Sequence, residues 1–136
     1  MTIEPGLKNE IKIIVTDDLT AAASGGPRMA PVLSTPQLVR LMESTAHNTI
    51  VNLLDPSQSS VGSEIKIKHI AATPVGMEVR IQAELMDVDG RRLCFRVEAW
   101  DEIEKIAEGE HERFIIDWER FMNRVEKKRQ NISANK

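Results

Sequence analysis

Three polar side chains occupy positions where the surrounding pattern favours apolar residues. Glu43 lies at the edge of the apolar face of a predicted helix, and His69 and Arg113 lie on the apolar faces of two predicted strands. A carboxylate and an imidazole on facing apolar surfaces can together activate water or support a carboxylate nucleophile. Taken singly, each residue also has a structural explanation: a surface-edge glutamate, a core or interface histidine, and an arginine in a salt bridge.

Two further residues are candidates for the same site. Thr35 precedes Pro36 at the start of the same helix, where a threonine serves as N-cap and a proline at the first helical position loses no hydrogen bond. Gly62 lies at the start of the strand that carries His69. His47 falls on the polar side of the helix, which predicts a solvated side chain.

The helix that positions Glu43 is predicted over residues 36–54. Its apolar residues recur at helical spacing and cover an unusually wide arc: Leu38, Val39, Leu41, Met42, Ala46, Ile50 and Leu53. A helix that is apolar over so much of its circumference is usually wrapped by other structure, most economically by a sheet. Glu43 is then partly buried, and a partly buried carboxylate needs a partner or a catalytic role.

Five segments with alternating apolar residues predict strands: 7–15, 61–69, 77–85, 93–99 and 106–116. The last four are predicted to form an antiparallel meander that curls around the helix, which gives an α+β fold. Residues 16–31 predict a long loop, either a lid or a connector, and residues 117–130 predict an amphipathic helix. We expect one domain over residues 1–130 and a disordered tail over 131–136.

The composition narrows the class of protein. The chain has 136 residues, with 18 Lys and Arg against 21 Asp and Glu, which gives no electrostatic basis for binding nucleic acid. Cys94 is the single cysteine, so neither an intrachain disulfide nor a cysteine-based metal cluster is expected. Because no membrane-length apolar run or signal peptide is visible, we expect a cytoplasmic protein with no membrane contact. Pairing of free sheet edges predicts a homodimer.

Several blocks of the sequence resemble, in the same order, the hot-dog thioesterases of the fluoroacetyl-CoA thioesterase type. The blocks are residues 32–43, 61–62, 69–76, 89–92 and 109–113. The likeness extends over roughly residues 32–129. It implies the hot-dog fold, in which a curved antiparallel sheet wraps a long helix, and it implies a dimer.

The resemblance also implies hydrolysis of an acyl-CoA thioester, with no metal and with coenzyme A as part of the substrate. The catalytic residues of the family fall on Thr35, Glu43 and His69, and its substrate-binding glycine and arginine fall on Gly62 and Arg113. Glu43 would attack the thioester carbonyl or activate water, and His69 would orient it and move the proton. A backbone N–H near Gly62 would polarise the carbonyl.

The resemblance leaves two residue roles and the acyl group open. Thr35 lies eight residues from Glu43, about 12 Å along a regular helix, so either the helix begins later or Thr35 serves the site of the partner subunit. Arg113 would contact the coenzyme phosphates or hold the site together. The loop over residues 20–32 lacks the aromatic residues that close over the small acyl group in the fluoroacetyl-specific enzyme, so Met29 and Leu33 could shape a more open site.

Two other functions are compatible with this fold. One is a non-catalytic module that binds acyl-CoA or another small ligand, because a fold does not imply a function. The other is a dehydratase acting on acyl thioesters, although the catalytic signature of such hydratases is not visible. Glu43 and His69 argue against a purely structural role.

Overall fold

The computed structural model describes residues 2–134 and contains a five-stranded sheet, a long central helix and a C-terminal helix. The strands are β1 (Lys8–Ile14), β2 (Gln58–His69), β3 (Glu78–Asp89), β4 (Arg92–Trp100) and β5 (Lys105–Asp117), and the α-helices are α1 (Ala21–Ser24), α2 (Thr35–Ile50) and α3 (Trp118–Ala134). The five predicted strands and the two long helices are confirmed. Among residues 2–134, no helix is long and apolar enough to cross a membrane.

The strand order is β1-β3-β4-β5-β2, and every neighbouring pair is antiparallel. The predicted meander is therefore correct for β3, β4 and β5 but wrong for β2, which pairs with β5, while β1 lies beside β3. Alternation shows which side chains share a face but not which strands are neighbours. One consequence matters for the site: β2 forms a free edge of the sheet.

The central helix packs against the inner face of this sheet. Its buried residues are Leu38, Leu41, Met42, Thr45, Ala46 and Ile50. They meet buried side chains of β3 and β4, which include Ile81, Leu85, Phe95 and Val97. Burial of one such aliphatic or aromatic side chain contributes roughly 1.5–3 kcal/mol, so the wide apolar arc fixes the helix against the sheet. The predicted wrapping of the helix is confirmed.

A β-bulge at Ser63 changes which residues of β2 face inward. Before the bulge the inward position is that of Ser60, which is 6% exposed. After the bulge, the face of β2 that turns inward is the one that carries His69. The unbroken alternation predicted over residues 61–69 is wrong at Ser63, because this residue is exposed and its hydroxyl donates to the Glu112 carboxylate.

The segment between β1 and α2 folds back on itself against the sheet. Isolated bridges join Thr20 to Leu33 and Val32 to Pro74. Leu33 is 1% exposed and belongs to the core, whereas Met29 is 46% exposed. Of the two residues expected to shape the acyl site, Met29 therefore has an exposed side chain and Leu33 does not.

The C-terminal helix α3 begins beside the start of β2, where the Trp118 N–H donates to the Ser57 carbonyl at 2.9 Å. It continues to Ala134, into the segment predicted to be a disordered tail. Asn135 and Lys136 lie outside the described residues.

Candidate active site

The start of α2 leaves Thr35 free for a role other than capping. Ser34 is the N-cap, since its Oγ accepts a hydrogen bond from the Gln37 N–H at 3.2 Å, and Thr35 is the first helical residue. The prediction that Thr35 caps the helix is therefore wrong by one residue. Its hydroxyl lies instead 2.8 Å from Nδ1 of His69.

His69 has a partner at one ring nitrogen only. Its Nε2 is buried and has no hydrogen-bond partner in the described part of the chain. Burial lowers the pKa of His69, and the backbone of Ala71 opposes that shift without reversing it. The imidazole is thus neutral near pH 7 and can accept a proton. Because Nε2 is buried within the single chain, a substrate or partner atom reaches it only after the ring or its neighbours shift.

Glu43 faces Gly62 and Arg113 across the gap between α2 and the sheet. A Cβ atom built on Gly62 would lie 3.7 Å from Glu43 Oε1, 3.4 Å from Arg113 Nη1 and 3.2 Å from His111 Cε1. The glycine therefore keeps open the space where the carboxylate and the guanidinium converge. Glu43, Arg113 and His47 also line a cavity of about 270 Å³.

Arg113 is buried and is only 7% exposed. Its Nε donates to Ser60 Oγ at 2.8 Å, its Nη2 to the Ser60 carbonyl at 2.9 Å, and its Nη1 to His111 Nε2 at 3.2 Å. Burial lowers the pKa of Arg113, and the negative charge of Glu43 opposes this. This arrangement favours a role in holding the site together over contact with coenzyme phosphates, and it leaves Nη1 a second N–H for the space above Gly62.

His111 completes the support of Arg113. It is 2% exposed, and its Nδ1 lies 2.8 Å from the Glu64 carbonyl oxygen, which can only accept. The Nδ1 therefore carries the proton and Nε2 accepts from Arg113, which makes the imidazole neutral. Burial, the largest effect on its pKa, lowers that pKa and agrees with this assignment.

His47 belongs to the same cluster, although its position on the polar helix face predicted a solvated side chain. It is half-buried, and its Nδ1 lies 2.7 Å from Ser60 Oγ. Burial and then the charge of Arg113 lower its pKa. The signal that could have identified it is spacing, because His47 follows Glu43 by one helical turn and so faces the same part of the sheet.

Within one chain the site residues form two separate groups, Thr35 with His69 and Glu43 with Gly62 and Arg113. Eight residues of α2 separate Thr35 from Glu43, about 12 Å of helix rise. Seven residues of β2 separate Gly62 from His69, about 23 Å of extended strand. Because α2 already includes Thr35, a later helix start does not explain the separation.

Comparisons with known proteins agree on one family. The family model described as fluoroacetyl-CoA-specific thioesterase matches residues 15–119. The fluoroacetyl-CoA thioesterase of Streptantibioticus cattleyicolor is 41% identical over 97 residues, which cover 71% of this chain and 70% of the relative. A solved structure of a substituted fluoroacetyl-CoA thioesterase in complex with acetyl-CoA is 34% identical, with a TM-score of 0.85, and covers 93% of this chain and 98% of that chain.

A more distant structural relative comes from Thermus thermophilus. This hypothetical protein, a thioesterase superfamily member, has a TM-score of 0.91 at 27% identity and covers 97% of both chains. The hot-dog fold expected from the sequence is thus confirmed. The chain belongs to the fluoroacetyl-CoA-specific thioesterase family and is a thioester hydrolase.

Proposed function

We propose that the protein hydrolyses an acyl-CoA thioester to a carboxylate and free CoA at a site that two copies of the chain build together. Glu43, His69 and Thr35 are the proposed catalytic residues. The observation that carries this proposal is the split between a neutral His69 with an unpartnered Nε2 and a Glu43 carboxylate that faces Arg113 over Gly62. One group supplies the imidazole that moves the proton, and the other supplies the carboxylate and the groups that bind the carbonyl oxygen.

The proposed chemistry begins at the thioester carbonyl. The free Nη1–H of Arg113 and a backbone N–H near Gly62 donate to the carbonyl oxygen and stabilise the charge that develops there. In one route Glu43 takes a proton from the water that adds to the carbonyl carbon; in the other it attacks that carbon itself, and water then hydrolyses the resulting acyl–glutamyl anhydride. In both routes the C–S bond breaks and CoA leaves as a thiolate. The neutral His69, held by Thr35, takes up a proton released from the water, directly or from Glu43, and passes it to the thiolate, while the second proton of the water leaves with the acid product.

The second copy is proposed because β2 carries one member of each group, Gly62 and His69, and is a free edge of the sheet. Antiparallel pairing of two such edges about a two-fold axis reverses one strand relative to the other. With the axis between Gly62 and His69, His69 of one copy lies beside the Gly62 end of its partner. Thr35 and His69 then act with the partner's Glu43, and each dimer has two identical sites.

Release of free CoA from short, medium and aromatic acyl-CoAs tests the reaction. Turnover by the parent is expected, and the preferred acyl group identifies the substrate class. Glu43→Gln and His69→Ala are each expected to lower kcat about 10²- to 10⁴-fold. Glu110→Gln, which changes an exposed glutamate of β5, is the matched control. No CoA release from any thioester by the folded protein would favour the non-catalytic binding module.

A heterodimer tests whether the site is shared. A dimer of one Glu43→Gln chain and one His69→Ala chain contains one intact composite site, so about half of the parental activity should return. If each chain built its own site, both sites would lack a catalytic group. The heterodimer would then be as inactive as either homodimer, which would refute the shared site while leaving hydrolysis itself intact.

A further inference from the structure

A groove of about 320 Å³ lies where the end of β5 meets the start of α3. Three arginines line it, Arg91 before β4 and Arg120 and Arg124 on α3, together with Phe114 and Phe121. It is separate from the cavity that contains Glu43, and none of its residues takes part in the proposed reaction. The groove therefore calls for its own explanation.

The charge of this groove is uncompensated. In the described part of the chain, Arg91, Arg120 and Arg124 form no salt bridge, and all three are exposed. The arginines of the outer sheet face differ, since Arg92 pairs with Glu112 and Arg96 with Glu84.

The carboxylate among the residues that line the groove does not neutralise it. Asp117 uses its Oδ1 to accept the backbone N–H of Arg120 at 3.1 Å. The groove is thus lined by three guanidinium groups and one carboxylate. Several unpaired guanidinium groups around one groove are suited to phosphate, which they bind through paired, charge-assisted hydrogen bonds.

The aromatic side chains narrow the chemical class of ligand that fits the groove. Phe114 is 37% exposed although it follows the buried Arg113 on β5, and Phe121 is half-buried beside it. An exposed aromatic ring next to arginines offers a face on which a nucleobase can stack. Phosphate and base together describe a phosphorylated nucleotide.

We propose that this groove binds the phosphorylated adenosine end of the coenzyme A substrate. The inference rests on the proposed function and assigns the nucleotide contacts, which the buried Arg113 is poorly placed to make. The two places lie on opposite faces of β5, because Arg113 points to the Glu43 cavity and Phe114, the next residue, points to the groove. The pantetheine arm of the substrate would therefore pass around the end of β5, at Asp117, to join them.

Direct titration with adenosine 3′,5′-bisphosphate tests the groove without any turnover. The parent is expected to bind, and the double variant R120E/R124E should bind about tenfold or more weakly through loss of two charge-assisted contacts. The control is K127E/K128E, which makes the same charge change on exposed residues of α3 outside the groove. Equal weakening in both variants, or no binding by the parent, would overturn the inference.

Kinetics separate this inference from the proposed function. R120E/R124E is expected to raise KM for an acyl-CoA and to leave KM unchanged for the same acyl group on pantetheine, which lacks the nucleotide. An unchanged KM for acyl-CoA, with turnover intact, would reject the groove and leave hydrolysis standing. Absence of turnover would reject the proposed function, whereas bisphosphate binding that depends on Arg120 and Arg124 would still support the nucleotide site.

Discussion

The two halves of the candidate site differ in how many of their polar atoms have hydrogen-bond partners within one chain. In the braced group, formed by Ser60, His111 and Arg113, both nitrogens of His111 and three donors of Arg113 have protein partners. In the open pair, formed by Thr35 and His69, one hydrogen bond is made and Nε2 of His69 has no partner in the described residues.

This difference suggests a division of labour. A guanidinium fixed in advance can stabilise developing charge without reorganising during the reaction, so the braced group is built within the chain. A proton-transfer group has to meet the reacting atoms, so the open pair is completed by the substrate or the partner. The predictions below test this contrast, beginning with the largest expected effect.

Arg113→Ala should be the most damaging change to the fold. It would remove the donors to the Ser60 carbonyl and to Nε2 of the buried His111, and we expect a loss of about 3 kcal/mol in the free energy of unfolding. Arg92→Ala removes an arginine of the adjacent strand from a solvent-exposed ion pair with Glu112 and should cost much less stability, because solvent screens such pairs. Chemical denaturation measures both, and similar losses would show that the braced group is not structurally special.

Two neighbouring residues at the start of α2 should separate activity from stability. Thr35→Val keeps the shape of the side chain and removes the hydroxyl that contacts His69, so we expect kcat to fall roughly 10- to 100-fold with little change in stability. Ser34→Ala removes the N-cap and should cost about 1 kcal/mol of stability with kcat nearly unchanged. If both variants lost stability alone, the open pair would have only a structural role.

The sequence predicted the elements and the candidate residues better than their arrangement. The helix around Glu43 and the strand that ends at His69 follow from local periodicity, which any chain of this pattern reveals. The edge position of β2 and its bulge depend on pairing between distant segments, which the local pattern does not contain. The support of Arg113 by Ser60 was missed for that reason, since the bulge reversed the face on which Ser60 lies.

Gly62→Ala should disturb the braced group without unfolding it. The added methyl would lie 3.2 Å from His111 Cε1 and 3.4 Å from Arg113 Nη1, so these side chains must shift slightly and occupy part of the space near Glu43. We expect kcat/KM to fall about tenfold, which corresponds to roughly 1.4 kcal/mol of transition-state stabilisation. Unchanged kinetics would show that the reacting carbonyl does not approach Gly62.

The smallest expected effect is a difference in how the two groups respond to acid. Burial lowers the pKa of His69 and His111, so each stays neutral in the folded chain at a pH where the unfolded chain has taken up protons. Stability contributed by the neutral forms is present above about pH 6.5 and is lost as the pH falls below that value.

His111→Gln separates the two histidines, because an amide can still donate to the Glu64 carbonyl and accept from Arg113 without titrating. In this variant the loss of stability between neutral pH and pH 5.5 should become smaller than in the parent. The decrease of kcat at acid pH should remain, because we assign it to protonation of His69. Loss of that decrease in His111→Gln would mean that the braced group, and not the open pair, controls the proton that the reaction moves.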